Sequence, residues 1–263
     1  MTEQETHITP KYQVQDDRFG VDEIHDAELI FELSDGCFRF GIRNGRGYFV
    51  WLEDYSLRHR ENKLAFVQAT VQSHKFLSVR FWRKVTLLCQ ASYKTFVPSR
   101  ITEEQAQRIG QHLFQTERKT HHSFEKEGTF VFAGHESIVQ FLQNLYGADK
   151  LEIKLAEQQF DLQQNFWTYI YFQEDGISLV FGKRHINSYW FARIEDLVAY
   201  LKTQSKLESV RVCGEVTAYS KAFRTLENYV GNLLLLESKD EIKRSQYFQD
   251  TPFHRYYSIF SQQ

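Results

Sequence analysis

Alternation of apolar and polar side chains divides the chain into two stretches of similar design. From Ala27 the run AELIFEL is apolar and strand-like, and Ser34-Asp35-Gly36 then turns the chain. Phe38, Phe40 and Ile42 alternate with Cys37, Arg39, Gly41 and Arg43, the period of two that belongs to a β-strand. Asn44-Gly45 tolerates positive φ at both positions and predicts a hairpin turn into a third strand over 48–52. Leu64, Val67, Val71 and His74 mark one face of a helix in ENKLAFVQATVQSHKF, and 84–89 is a fourth, continuously apolar strand. Thr102 and Gln105 form a capping box for a second helix, with Ile109 and Leu113 on its core face. A fifth strand is predicted over 129–133, and Ile138, Phe141, Leu142 and Leu145 stripe a third helix that Gly147 stops.

The second stretch repeats that order. A strand over 167–172 meets the turn Asp175-Gly176, Ile177, Leu179 and Phe181 alternate on the next, and 188–192 is the third. Ile194, Leu197, Val198 and Leu201 stripe a helix; 210–216 is a strand, Phe223, Leu226 and Val230 a helix face, and 233–236 a strand. Phe253, Tyr256, Tyr257 and Phe260 close the chain with a helix. A shift of 140 residues carries Asp35 onto Asp175, Gly36 onto Gly176, Phe49 onto Tyr189 and Trp51 onto Phe191. Beyond the third strand the register drifts, so the second copy is shorter. Repeats of this length are duplicated domains, not solenoid units. The expected fold is therefore α/β, a tandem duplication in which each half reads βββαβαβα around a mixed five-stranded sheet. The expected organisation is a flexible arm over 1–25, a first half over 26–150, a polar connector over 151–165 and a second half over 166–263. A ligand cleft in such a pair belongs between the halves, near the Asp-Gly turns.

Composition narrows the function. A chain of 263 residues, 42% hydrophobic and 25% charged, is long enough for two globular domains. Net charge of −2 and a pI near 6.6 supply no global field for a nucleic-acid backbone, so no nucleic-acid partner is expected. The basic-aromatic run Arg80-Phe81-Trp82-Arg83-Lys84 reads as the entry to a buried strand. Cys37, Cys89 and Cys213 are widely spaced, odd in number and set in apolar runs, which points to small hydrophobes in a reduced protein. The start, MTEQETHITPKYQVQDD, has no apolar h-region, and no apolar stretch reaches about 20 residues, so a cytoplasmic location without membrane insertion is expected.

Several chemistries lack their residues. His121-His122 looks like a metal pair, but neighbours at i, i+1 point apart and no third ligand stands at the right spacing, so a solvated loop is expected. Glu32 has no acid on the strand over 84–89 to join it in a two-metal nuclease, and no G-x-S-x-G elbow occurs. Tyr48, Phe49 and Trp51, and again Tyr189, Trp190 and Phe191, put aromatic rings on both faces of a strand, and some of them need cover from helices or from a partner.

The doubled element order, together with AELIFELSDGCFRFGI, KTFVPSRITEEQA, INSYWFARIEDLVAYL, VRVCGEVTAYSKAFRTLENYV and PFHRYYSIF, resembles the ribonuclease H-like, actin-like ATPase superfamily of sugar kinases, actin and heat-shock chaperones. Within it the chain looks like a family of Bacteroidetes proteins of this length and of unknown function. The resemblance runs from Ala27 to the C-terminus. It implies an Asp-x-Gly on the first hairpin of each half, where the acid holds hydrated Mg²⁺ and turn amides cradle phosphate. It also implies paired glycines on the adenosine side.

This sequence departs from that pattern. Ser34 stands two before Gly36 and Glu174 two before Gly176, while Asp35 and Asp175 fall one residue late. Cys37-Phe38-Arg39 and Ile177-Ser178-Leu179 put bulk where backbone must approach phosphate, and Gly214 is followed by Glu215 instead of a second glycine. Ser34, Asp35, Gly36, Glu174, Asp175, Gly176, Gly214 and Glu215 are thus candidates for lining the cleft, with no catalytic residue and no metal ligand assigned. The expected role is non-catalytic: an actin-like fold without cofactor that binds a protein or peptide, as one such protein does in pilus assembly, with a homo-oligomer compatible. The alternative is an ATPase or small-molecule kinase with an atypical site between the halves. There Ser34, Asp35 and Glu174 would share Mg²⁺, and Gly214 would line the adenine side of ATP.

Overall fold

Strand pairing follows the alternation. The computed structural model describes residues 8–115, 119–125, 128–160, 168–181, 187–236 and 242–262. The elements are β1 (Tyr12–Gln15), β2 (Glu28–Leu33), β3 (Cys37–Arg43), β4 (Phe49–Ser56), α1 (Lys63–Ser73), β5 (Lys84–Cys89), β6 (Tyr93–Val97), α2 (Glu103–Phe114), β7 (Thr120–Glu125), β8 (Gly128–Ala133), α3 (Glu136–Tyr146) and β9 (Leu151–Leu155). They continue as β10 (Thr168–Phe172), β11 (Ile177–Phe181), β12 (Asn187–Phe191), α4 (Ile194–Thr203), β13 (Leu207–Gly214), α5 (Lys221–Glu227), β14 (Val230–Leu235) and α6 (Tyr257–Phe260).

Two mixed sheets carry the architecture. The first has the order β1-β4-β3-β2-β5-β9, antiparallel from β1 to β2 and parallel from β2 to β9. The second has the order β12-β11-β10-β13-β14, with the same switch from antiparallel to parallel at β10. A third, antiparallel sheet of order β6-β8-β7 forms with α2 an insert between β5 and α3.

That insert corrects the first-half reading. The strand expected over 129–133 is β8, which belongs to the third sheet, and the fifth main-sheet strand is β9, inside the stretch read as a connector. Glu152 and Lys154 hid it: β9 is an edge whose half-exposed positions carry charge, and Glu152 pairs with Lys84 at 3.0 Å and Lys154 at 2.8 Å. Residues 161–165 of the connector, and 167 in the next expected strand, lie outside the described residues.

The arm expected over 1–25 differs too. Residues 1–7 lie outside the description, but Tyr12–Gln15 form β1, Tyr12 and Val14 pack on apolar neighbours, and Gln13 donates to Glu53 at 2.8 Å. His121 and His122 lie on β7 instead of in a loop. As expected for consecutive strand residues they differ in cover, His121 being buried and His122 half-buried.

Helix ends obey local chemistry. Asn62 caps α1 by accepting from the Ala65 amide, and Thr102 and Gln105 form the predicted box at α2. Three apolar clusters result. One lies between the first sheet and α1 and α3, and another between the second sheet and α4 and α5. The third joins the halves: Ile30, Phe49, Leu52 and Leu88 meet Tyr169, Tyr171, Val180 and Cys213 around Phe248, Phe253, Tyr256, Tyr257, Ile259 and Phe260. Gly41 lets this C-terminal segment approach, since a Cβ there would lie 2.7 Å from the Ile259 side chain. Each such large apolar side chain contributes about 1.5–3 kcal/mol on burial. The C-terminal segment thus straps the two sheets together.

Candidate functional site

The two Asp-Gly turns meet at the junction of the halves. Ser34 is buried at the end of β2, where its hydroxyl accepts from the amides of Gly36 at 3.0 Å and Cys37 at 2.9 Å. It holds the first turn in shape. A Cβ on Gly36 would lie 2.5 Å from the Cβ of Glu174, so the turns are in contact and glycine is what allows it. Glu174 accepts from Lys11 Nζ at 2.7 Å and lies 3.6 Å from Arg58 Nε. Asp35 pairs with Lys63 at 3.1 Å. Burial, then the charge of Asp35, pushes the Asp175 carboxyl up, and burial pushes the neighbouring His135 imidazole down. Gly176 lies under the indole of Trp190, where a Cβ would come within 2.6 Å of Nε1.

Around these turns is an open cleft of about 490 Å³, lined also by Arg58, Gln173, Ile177, Ala192, Arg193 and Ile194. Six of the eight sequence candidates therefore gather at one place, with Ser34 behind the lining instead of in it. Gly214 and Glu215 lie elsewhere along the junction. Gly214 ends β13 with φ +92°, and a Cβ on it would collide with the Phe172 carbonyl oxygen. It serves a close strand packing. Glu215 donates its amide to that carbonyl at 2.9 Å, and its carboxylate binds Arg39, with Arg255 at 3.1 Å and Lys11 at 3.8 Å.

Behind the cleft lies a buried polar core that the sequence reading missed. Glu32 accepts from the Tyr171 hydroxyl, from Gln90 and from Ser258 at 2.8 Å, and lies 3.5 Å from Arg39 Nη1. Arg39 also pairs with Asp54 at 3.0 Å, and Asp54 with Arg255 at 3.2 Å. Burial, then the charge of Glu32, pushes the Tyr171 phenol up, which keeps it a donor. A second buried pair, Lys94 to Glu157, with Ser178 2.9 Å from both partners, ties the insert to the second sheet. Buried charges of this kind persist only when paired. One signal was present: Glu32 and Arg39 are cross-strand partners at matching distances from the first turn. Among the described residues no three His, Cys, Asp or Glu side chains converge as metal ligands.

Two sheets of this order, packed with their first hairpins facing, define a protein of the actin-like ATPase fold. A solved structure from Bacteroides thetaiotaomicron VPI-5482, a protein with actin-like ATPase fold and unknown function, matches with a TM-score of 0.69 at 15% identity, over 83% of this chain and 93% of that one. The PilM–PilN type IV pilus biogenesis complex contains a chain that matches with a TM-score of 0.57 at 10% identity, over 89% of this chain and 97% of that one. The chain belongs to the family described as protein of unknown function (DUF3822), whose family model matches residues 16–233. No curated protein matches it. Among the described residues no helix is long and apolar enough to cross a membrane.

Proposed function

We propose that this chain is a non-catalytic, cytoplasmic member of the actin-like fold that works by binding a protein or peptide, and that its halves arose by duplication of one βββαβαβα unit. Equal strand order in the two sheets and the shift of 140 between the turns support the duplication; the insert is then an addition to the first copy. The observation that carries the functional reading is the contact of Glu174 with Gly36. Where phosphate would have to lie between two roomy turns, the chain places its own carboxylate, already neutralised by Lys11. Ser34 and Asp35, the other groups that would share a metal, are engaged with the turn amides and with Lys63. Phosphoryl transfer depends on positioning and charge neutralisation, and these groups supply neither to a nucleotide. The C-terminal strap also favours one fixed arrangement of the halves. The PilM–PilN neighbour, itself a complex, is a precedent in fold.

A thermal-shift titration with ATP and ADP, with and without Mg²⁺, tests the reading. Free ligand at 100 times Kd would add about 2.7 kcal/mol to the native state. No shift at millimolar nucleotide is expected. A Mg²⁺-dependent rise that Glu174→Ala abolishes would replace the proposal with phosphoryl transfer.

A further inference from the structure

The insert is rooted in one half and only touches the other. Phe130 and Phe132 of β8 belong to the apolar cluster of the first half, and Phe96 of β6 packs against it. Among the described residues, the apolar clusters of the junction and of the second half contain no side chain of the insert. Yet β6 lies beside β12. What joins the insert to the second sheet is polar: Lys94 of β6 pairs with Glu157, just after β9, and both lie 2.9 Å from Ser178 Oγ of β11. Ser178 and Trp190 are cross-strand partners, and Ser188 lies two residues before Trp190, so all three share the face that meets β6.

That contact is incompletely satisfied. Among the described residues Glu157 Oε2, Ser188 Oγ and Trp190 Nε1 are buried with no hydrogen-bond partner. Buried donors and acceptors left unpaired cost free energy that hydration returns, and a buried ion pair adds little net stability. β6 is bonded to β8 and not to β12, so parting from β12 breaks no ladder hydrogen bond. The C-terminal strap is fastened differently, by the apolar side chains of Phe248, Phe253, Ile259 and Phe260. Of the two attachments, the polar one is the weaker. It begins at the cleft, where Gln173 in the lining donates to Ser178 at 3.2 Å.

We propose that the insert is a lid on the β11–β12 face, latched by Lys94 through Glu157 and Ser178. It swings away from the second half while the strap keeps the two halves together. Opening extends the cleft across Ser178, Ser188 and Trp190 and hydrates the three unpaired atoms. Closure returns Lys94 to the Ser178 hydroxyl and seals that face again. The motion belongs to the free chain and does not depend on the partner-binding reading above.

Thiol accessibility in the full chain reads the opening. Ser188→Cys puts a reporter under the lid and removes only a hydroxyl without a partner, and an unchanged melting temperature verifies folding. Cys89, in the first-half core, and Cys213, in the strapped junction, are references within the same molecule. Alkylation by iodoacetamide under native conditions is followed at each site by peptide mass spectrometry. The expected rate at position 188 is at least about a hundredfold above those at Cys89 and Cys213, in proportion to the open population. Lys94→Met leaves Glu157 buried without its cation until the lid opens, and should raise the rate at 188 at least about tenfold further. Ser178→Ala keeps the ion pair, and should raise that rate by a smaller factor. A rate at 188 equal to that at Cys89 would overturn the lid, because the contact would then open only when the whole chain unfolds. A rate that neither Lys94→Met nor Ser178→Ala changes would also overturn it, since fraying of β12 alone would then explain the labelling. Labelling of Cys213 as fast as at 188 would overturn it in favour of halves that part.

Discussion

The two sheets share strand order and direction and differ in how they end. In the first, β1 closes β4, and β7 of the insert packs near β9, whose Glu152 is held by Lys84 and Lys154. In the second, among the described residues, β12 and β14 are hydrogen-bonded on one side only, β6 of the insert lies near β12, and Leu234 of β14 is exposed. The outer strand of the first hairpin series, β4, is thus hydrogen-bonded on both sides, and its counterpart β12 on one. Between the halves an open cleft is lined by side chains of both.

The largest test of that contrast lies in the buried core. Arg39→Met leaves Glu32 and Asp54 buried without their shared cation and should cost about 3–5 kcal/mol in urea unfolding. Arg193→Met, at the exposed end of β12, should change stability by no more than about 0.5 kcal/mol. Equal effects would erase the distinction between the buried charge network and the exposed pair.

His121 gives the next effect. Burial, then Lys119 and His135, lowers its pKa to about 4, against partial support from the Gly134 backbone and Glu136. Unfolded histidine binds a proton below about 6.5, so the unfolded chain carries more protons between about 6.5 and 4. Stability should be fully present above that window and fall by up to about 3 kcal/mol as pH drops through it. His121→Phe should flatten this part of the pH profile in chemical denaturation, whereas His122→Phe, at a half-buried position, should leave it in place.

Gly36→Ala probes the cleft itself. With Glu174 already against Gly36, the added methyl should cost about 1–3 kcal/mol, and Glu174→Gly in the same chain should recover part of the loss. A neutral Gly36→Ala would mean that the turns stand apart. Smallest is Lys11→Ala: its half-exposed ammonium should contribute about 1 kcal/mol or less, read as a small fall in melting temperature.

Legibility in the sequence tracked burial on both faces. β2, β3, β5, β10 and β11 announced themselves because apolar residues crowd them, and the turns between them followed from Asp-Gly and Asn-Gly. β1, β6, β7 and β9 were missed: YQVQ and LEIKL are edges with polar outward positions, a pattern shared with loops, and THHSFE turns polar Thr120, His121 and Ser123 inward and exposes Phe124, while YKTFV is another edge. The contact of Gly36 with Glu174 spans the two halves, and so does the bond of Tyr171 to Glu32. Local propensity carries no trace of such pairings, although the matched positions of Glu32 and Arg39 about the turn were open to reading. Asp35, Gly36, Asp175 and Gly176 line one cleft. What local sequence could not give is that they touch.

The most direct test of the account is native-state amide exchange of the free full chain, comparing β4 with β12. Closure of β4 by β1 predicts protection along β4 approaching that of global unfolding, while the unpaired side of β12 should exchange through local opening, orders of magnitude faster. Equal protection of the two strands would contradict the account, because β12 would then be hydrogen-bonded on both sides as β4 is.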